Sequence, residues 1–268
     1  WPKLREDLTL HAGPTTPEGA PTWTLHDPAR NQYFSIDWVA FEIISRLYLG
    51  SVESICESIH NTTLLQIDQT DVPTVLDFLE QKEIVQRHCL NESAFFTNKH
   101  SSRQTTLFNK ILHGYLFFRV PLWKPDAWLA RFLPHIEFLF QPFFLKLTTV
   151  ALLLGLWGVF RQWSTFQSTL VDTFSLDGLI GYGGALIAIK ILHEFGHAFV
   201  AKRCGCKVPA MGVAFLVMWP MAYTDVTESW KLGSHKKRLM IAGAGIATEL
   251  VAAAWMLLFW VLLPDGHL

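Results

Sequence analysis

Long apolar runs separated by short polar segments occupy the second half of the chain. Three of these runs, at residues 143–160, 179–200 and 239–263, are predominantly apolar. Each is long enough to cross the hydrocarbon core of a bilayer as a helix. Residues 208–222 are also apolar, but this run is short and is broken by Gly212 and Pro220, which favours a re-entrant loop or hairpin. The pattern therefore predicts an all-α, multi-span membrane domain over residues 143–268.

The first part of the chain shows the shorter periodicities of a small α+β domain. Alternating polar and apolar side chains at residues 22–36 predict a β-hairpin, because two alternating stretches flank a turn that contains proline and asparagine. Apolar side chains at helical spacing follow Asp37, then Ser51 and then Thr70. A hairpin with three short helices predicts an α+β, winged-helix-like domain over residues 1–90.

Residues 91–142 connect the two parts. Their first portion, up to residue 104, is largely polar and predicts a linker. Residues 116–129 combine tryptophan, phenylalanine and arginine with two prolines. Amphipathic aromatic side chains next to cations suit the headgroup level of a bilayer. We therefore expect a linker followed by a membrane-surface segment.

The positions of lysine and arginine predict the orientation of the membrane domain. Basic residues follow the second apolar run and precede the last one, at Lys202, Arg203, Lys207, Lys231, Lys236, Lys237 and Arg238. Residues 161–177 carry one cation against two acids. Because segments rich in lysine and arginine stay on the cytoplasmic side, both flanks of residues 208–222 are expected in the cytoplasm. The N-terminal domain is then cytoplasmic as well.

The composition agrees with a membrane protein and excludes one class of function. Half of the 268 residues are hydrophobic and 17% are charged, whereas soluble domains carry about a quarter of charged residues. The net charge of −1 gives no reason to expect nucleic acid as a partner. Four scattered cysteines are too few for a disulfide framework. Cys204 and Cys206 are expected to pack as small apolar side chains, and a C-x-C metal clip is the alternative.

The most informative motif is the HExxH pattern at residues 193–197, inside the second apolar run. Residues i and i+4 share one face of a helix, so the imidazoles of His193 and His197 can bind one Zn²⁺. Glu194 is the predicted catalytic residue, because a carboxylate beside zinc-activated water can take its proton and pass it to a leaving amine. The same pattern occurs by chance in soluble helices, where the histidines only cap or pack. Ionisable groups within an apolar span are functional by default, which favours the zinc site.

This motif and other segments resemble the site-2-protease class of membrane zinc metallopeptidases. More narrowly, the chain is similar to a bacterial branch in which a PqqD-like winged-helix domain precedes the membrane part. The matching segments are residues 22–25, 33–34, 78–81, 115–119, 190–198 and 223–230. The resemblance implies a Zn²⁺-dependent hydrolase of membrane or exported peptide substrates, integral to the bacterial inner (cytoplasmic) membrane. It also implies secretion-adaptor proteins as candidate partners.

The resemblance leaves the third zinc ligand open. In the family this ligand is an aspartate in an Asn-Pro…Asp-Gly segment on a later span, so the sequence is expected to be part of a longer protease. Asp225 is the best ligand within the chain, and the alternative is that it caps or braces the short helix that follows. Asp177 precedes the motif on the predicted external loop, and Asp265 lacks the preceding Asn-Pro. Neither of these two is expected to bind zinc.

Glu249 is the other acidic side chain within an apolar run. It is expected to pair with Lys190 or to orient a zinc-binding histidine, and the alternative is contact with water at the interior of the bundle. Gly243, Gly245 and Ala247 lie beside Glu249. Small residues of this kind predict close packing of the last run on the motif helix.

Two functions from different classes fit these observations. The first is an intramembrane zinc metalloendopeptidase, with Glu194 as the catalytic residue, His193 and His197 as metal ligands, and Asp225 as the candidate third ligand within the chain. The second is a catalytically silent membrane component of a peptide-export or secretion complex. In that alternative the front domain captures a peptide through backbone hydrogen bonds at a strand edge.

Overall fold

The computed structural model describes residues 1–86, 117–216 and 219–263. The chain divides into two compact units. The N-terminal unit consists of Trp1–Lys110 with Trp230–Lys236, and the membrane unit of Ile111–Ser229 with Lys237–Leu268. The predicted linker at residues 91–104 and Asp265 both lie outside the described residues.

The described part of the N-terminal unit contains two small antiparallel sheets. The strands are β1 (Lys3–Leu4), β2 (Thr9–Ala12), β3 (Trp23–Asp27), β4 (Gln32–Ile36) and β5 (Val85–Gln86). One sheet has the order β2-β3-β4, and the other pairs β1 with β5. The β3–β4 hairpin confirms the predicted alternation, with Trp23 opposite Ile36 and Asp27 opposite Gln32. The sequence pattern missed β1, β2 and β5, because strands of two to four residues are too short to show alternation.

The predicted helices of the N-terminal unit are confirmed as α1 (Trp38–Ser45), α2 (Val52–Thr62) and α3 (Asp71–Gln81). The Asp37 carboxylate accepts a hydrogen bond from the Ala40 amide, and the Ser51 hydroxyl accepts one from the Ser54 amide. Side-chain acceptors of this kind stabilise the first turn of a helix. Fully buried isoleucine and leucine side chains of these helices form the core, among them Ile43, Ile55, Ile59 and Leu79. The unit is therefore α+β, and its finer assignment as a PqqD-like winged helix rests on the sequence resemblance alone.

Helices dominate the described part of the membrane unit. They are α4 (Asp126–Ile136), α5 (Pro142–Arg161), α6 (Trp163–Asp172), α7 (Leu176–Arg203) and α8 (His235–Leu262). Three of them, α5, α7 and α8, are long and apolar enough to cross a membrane. They match the three predicted spans except for one to four residues at each end. Residues 161–177, expected as a loop, contain α6 instead, because Trp163, Phe166 and Leu170 recur at helical spacing.

A three-stranded antiparallel sheet lies in the membrane unit. Its strands are β6 (Phe117–Trp123), β7 (Met211–Leu216) and β8 (Trp219–Thr224), in that order. Most of residues 208–222 belongs to the two antiparallel strands β7 and β8, so the expectation of an all-α membrane domain is wrong for this segment. The re-entrant course expected for it stays a prediction. The membrane-surface segment at residues 116–129 was not expected to contain a strand, and β6 corrects that expectation. Pairing between Phe117 and Leu216 is too distant in sequence to leave a local pattern.

Asp126, at the start of α4, connects α7 to this sheet. Its Oδ1 atom accepts hydrogen bonds from Lys202 Nζ at 2.7 Å and from the Val208 amide at 3.0 Å. Burial acts to raise the pKa of Asp126, but the two hydrogen bonds and the charges of Lys202 and Lys207 lower it below its ordinary value. One carboxylate thus fixes the C-terminal end of α7 to the segment that enters β7.

Close packing places α8 against α5. A Cβ atom added at Gly155 would lie 3.1 Å from the Leu258 amide nitrogen, which is tighter than an ordinary van der Waals contact, so glycine suits this close approach of the two backbones. The Trp255 indole donates a hydrogen bond to the Thr148 hydroxyl at 3.2 Å. Small residues and hydrogen bonds between helices are the usual means of association for membrane helices.

Candidate metal centre

The HExxH motif lies within α7, which runs without interruption from its Ser175 cap to Arg203. One helical turn separates His193 and His197, so both imidazoles project from the same face. Their Nε2 atoms are 3.1 Å apart, and the ring centroids are separated by 4.8 Å. The structure thus brings together the two histidines that were predicted to bind zinc.

Helix α8 supplies a hydrogen-bond acceptor to each of these rings. His193 Nδ1 lies 2.9 Å from Glu249 Oε1, and His197 Nδ1 lies 2.7 Å from the Ile241 carbonyl oxygen. Carbonyl and ionised carboxylate oxygens only accept, so each Nδ1 is the donor and carries the hydrogen. In a neutral imidazole the other nitrogen then presents a lone pair. Both Nε2 atoms are therefore free to act as ligands.

This arrangement fits a metal ion between the two rings. Two Nε2 lone pairs that face each other across 3.1 Å repel, and either a metal ion between them or a proton on one of them relieves this repulsion. Imidazole nitrogens bound to a tetrahedral Zn²⁺ at about 2.0–2.1 Å are roughly 3.3–3.4 Å from each other, close to the observed separation. Histidines that bind metals typically donate their second ring nitrogen to a carboxylate or carbonyl oxygen, which is the pattern seen for His193 and His197. The two histidines and their acceptors therefore fit two ligands of a metal site.

Glu194 adjoins the two histidines and is half-buried. Its backbone carbonyl oxygen accepts a hydrogen bond from the Thr224 hydroxyl at 3.1 Å, which connects α7 to β8. No side chain in the described ranges donates a hydrogen bond to the Glu194 carboxylate or forms an ion pair with it. The carboxylate is thus available for proton transfer next to the two ligands.

Glu249 makes both of the contacts that the sequence suggested for it. Its Oε1 atom accepts hydrogen bonds from Lys190 Nζ at 2.7 Å and from His193 Nδ1 at 2.9 Å. A single oxygen atom therefore links a lysine and a histidine of α7 to the middle of α8.

The Asp225 carboxylate is engaged elsewhere. Its Oδ1 atom accepts hydrogen bonds from the amide and the hydroxyl of Thr227, at the start of the short 3₁₀ helix Thr227–Lys231. This is the capping role that was the alternative to metal binding. Among the described residues, no group of three or more His, Cys, Asp or Glu side chains could hold a metal ion. A ligand role for Asp225 has no geometric support and stays a prediction.

Asp177, Cys204 and Cys206 lie at the two ends of α7 or just beyond its C-terminal end. Asp177 is exposed in the first turn of α7. Cys206 is buried and Cys204 is partly buried, as expected for small packing side chains.

Glycine residues let α8 approach the motif helix closely. A Cβ atom added at Gly245 would overlap three atoms of the His193 ring, and one added at Gly196 would lie 2.9 Å from the Ala244 carbonyl oxygen. A Cβ atom at Gly243 would meet nothing within 4 Å. The predicted close packing through small residues is therefore confirmed at Gly245, where the His193 ring lies directly on the backbone of α8.

The geometry agrees with a comparison to known families. Residues 183–265 match the model of peptidase family M50. The matched region contains His193, Glu194, His197 and Glu249, and it supports the site-2-protease-like resemblance. Together with three apolar helices that can cross a membrane, the M50 match indicates a protease integral to a membrane. No curated protein and no solved structure matches the chain.

Sequence reasoning missed one component of the candidate metal site. The Ile241 carbonyl oxygen, which holds His197, is a backbone atom and has no signature in the side-chain sequence. Its only indirect signal is spacing, because Ile241, Gly245 and Glu249 are four residues apart and therefore lie on one face of α8. All three contact the histidines of α7.

Proposed function

We propose that this protein is an intramembrane zinc metalloendopeptidase that hydrolyses peptide bonds of a membrane or exported peptide substrate. The observation that carries the proposal is the pair of Nε2 atoms 3.1 Å apart, each left free because its Nδ1 is bound to an acceptor on α8. The M50 match of residues 183–265 supports the same reaction class.

In this proposal His193 and His197 hold the metal, and Glu249 and the Ile241 carbonyl keep their rings in place. When bound, zinc would supply Lewis-acid activation of a water molecule and of the scissile carbonyl. Glu194 would take a proton from a water molecule beside the two histidines and deliver it to the leaving amine. Its carboxylate is available for both transfers, since no described side chain binds it.

The proposal includes the front domain and the location of the protein. A PqqD-like winged helix would hold a peptide segment of the substrate by strand addition, which requires only backbone hydrogen bonds. The location is the inner (cytoplasmic) membrane of a bacterium, with the N-terminal unit in the cytoplasm. Secretion-adaptor proteins are the proposed partners besides membrane lipid and the substrate.

Removal and return of the metal tests the proposed reaction. A protein that contains this chain together with the third zinc ligand expected on a later span should cleave a single-span membrane peptide in detergent, lose cleavage after a zinc chelator is added, and regain it with Zn²⁺. We expect about one zinc per chain, because the two histidines share a single ion. Cleavage that survives complete removal of zinc would contradict the proposal. A chain that binds the peptide and zinc but never cleaves would favour the silent export component instead.

Single cysteines that are labelled from outside the cell test the proposed orientation. In a background without the four native cysteines, Ser168→Cys on α6 should react with an impermeant reagent. Glu57→Cys, Lys207→Cys and Lys236→Cys should react only after the membrane is opened, because segments rich in lysine and arginine remain in the cytoplasm. These four side chains are all exposed. External labelling at Lys236→Cys without labelling at Lys207→Cys would mean that the segment between them crosses the bilayer.

A further inference from the structure

Two opposite charges meet near the middle of two membrane-spanning helices. Lys190 lies on α7 and Glu249 lies on α8, and the Lys190 Nζ atom is 2.7 Å from Glu249 Oε1. Charged side chains at this depth are energetically costly and are usually retained for a function. An ion pair that only joined two helices would not need to contact anything else.

The same oxygen atom also contacts the metal site. Glu249 Oε1 accepts from Lys190 Nζ and, at 2.9 Å, from His193 Nδ1. Lys190 therefore holds Glu249 Oε1 in position, and this oxygen in turn holds the imidazole ring of His193. Lys190 and His193 are three residues apart on α7, so one turn of helix presents both donors to Glu249.

The backbone of α8 holds the His193 ring from a second direction. Gly245 lies one turn before Glu249, and a Cβ atom there would overlap the ring atoms Nε2, Cδ2 and Cε1. The ring is thus confined between the Gly245 backbone and the Glu249 carboxylate. With both restraints in place, Nε2 of His193 points at Nε2 of His197.

We propose that Lys190 and Glu249 are a positioning pair for the metal ligand His193, in which Lys190 acts only through Glu249. This inference rests on the proposed zinc site, and it adds Lys190 to that site as the residue that positions Glu249. Glu249 presents the acceptor that aims Nε2, and Lys190 neutralises and orients this carboxylate within the two apolar helices.

A double-mutant cycle on the full chain distinguishes a positioning pair from a simple interhelical ion pair. Zinc affinity is measured by competition with a chelator for the wild type, Lys190→Met, Glu249→Ala and the double variant. Glu249→Ala should weaken zinc binding by about 10- to 100-fold, the usual effect of removing a group that orients a metal ligand. Lys190→Met should weaken it less, and the double variant should equal Glu249→Ala. When one residue acts only through another, the losses of zinc affinity caused by the two single substitutions do not add in the double variant.

Two further variants separate this role from general stability. Glu249→Gln retains a carbonyl oxygen that can accept from both donors, so its loss of zinc affinity should be smaller than that of Glu249→Ala. Thr148→Val removes the hydrogen bond between α5 and Trp255 of α8, neither of which contacts His193 or His197 through a described hydrogen bond, and should leave zinc affinity unchanged. Unchanged affinity in Glu249→Ala, or additive losses in the double variant, would overturn the proposal.

A second measurement works without zinc and without hydrolysis. In the zinc-free chain, ¹⁵N NMR of histidine should find the proton of His193 on Nδ1 in the wild type and in Glu249→Gln, and distributed over both nitrogens in Glu249→Ala. If the wild type failed to bind zinc, the proposed function would fail, whereas this tautomer shift would still decide the role of Glu249. An identical tautomer in all three chains would reject the positioning role.

Discussion

Replacing Glu194 by glutamine is expected to abolish peptide hydrolysis while zinc remains bound. Glutamine has nearly the same shape as glutamate but cannot take up a proton from water. General acid–base catalysis contributes about 10²- to 10⁴-fold to a rate, so turnover of a single-span peptide should fall by this factor. The zinc content should stay at the wild-type level, since the Nε2 atoms of His193 and His197 and their acceptors are untouched.

Glu137→Gln is the matched control for this substitution. Glu137 belongs to the membrane unit, its side chain is exposed, and its carboxylate is 3.9 Å from Arg203. The same chemical change there should leave turnover and zinc content unaltered. If Glu194→Gln cleaved the peptide as fast as the wild type, Glu194 would have no part in proton transfer.

Gly245→Ala is expected to release zinc, although Gly245 carries no functional group. The added methyl group would overlap the His193 ring, so either the ring or α8 must move. Either displacement separates the Nε2 atom of His193 from its partner. Zinc affinity should fall by at least the roughly 10- to 100-fold that follows from disturbing the groups that orient a ligand.

Gly243→Ala provides the control for this prediction on the same helix. The space around Gly243 is open, and alanine favours helix more than glycine, so this variant should bind zinc normally and unfold no more easily than the wild type. Both variants are compared by chelator competition after equal purification. Equal zinc affinity in the two variants would show that α8 does not press on the His193 ring.

The parts of the fold that could be predicted from sequence depend on local patterns. The spans α5, α7 and α8 are predicted by their long apolar runs, because a helix that crosses a bilayer needs about 20 apolar residues. The pair His193 and His197 follows from helical spacing, and Glu249 from its charge within an apolar run. These signals need no knowledge of which helices are neighbours.

The parts that could not be predicted depend on contacts between distant segments. The sheet formed by β6, β7 and β8 pairs Phe117 with Leu216. The sequence of either strand gives no indication of which distant strand it pairs with. The contacts of backbone atoms also leave no pattern in the sequence, and the Ile241 carbonyl oxygen that accepts from His197 is an example. The choice between Lys190 and His193 as the partner of Glu249 was also undecided from sequence, and the structure contains both contacts through one oxygen.

X-ray absorption at the zinc edge tests the central claim most directly. On the purified chain with bound zinc, we predict two imidazole nitrogens at about 2.0–2.1 Å from the metal. His193→Ala and His197→Ala should each lose this signal, whereas Asp225→Asn should retain it, because the Asp225 carboxylate is bound to Thr227. A spectrum without imidazole ligands, or one that is unchanged when both histidines are replaced, would contradict the account.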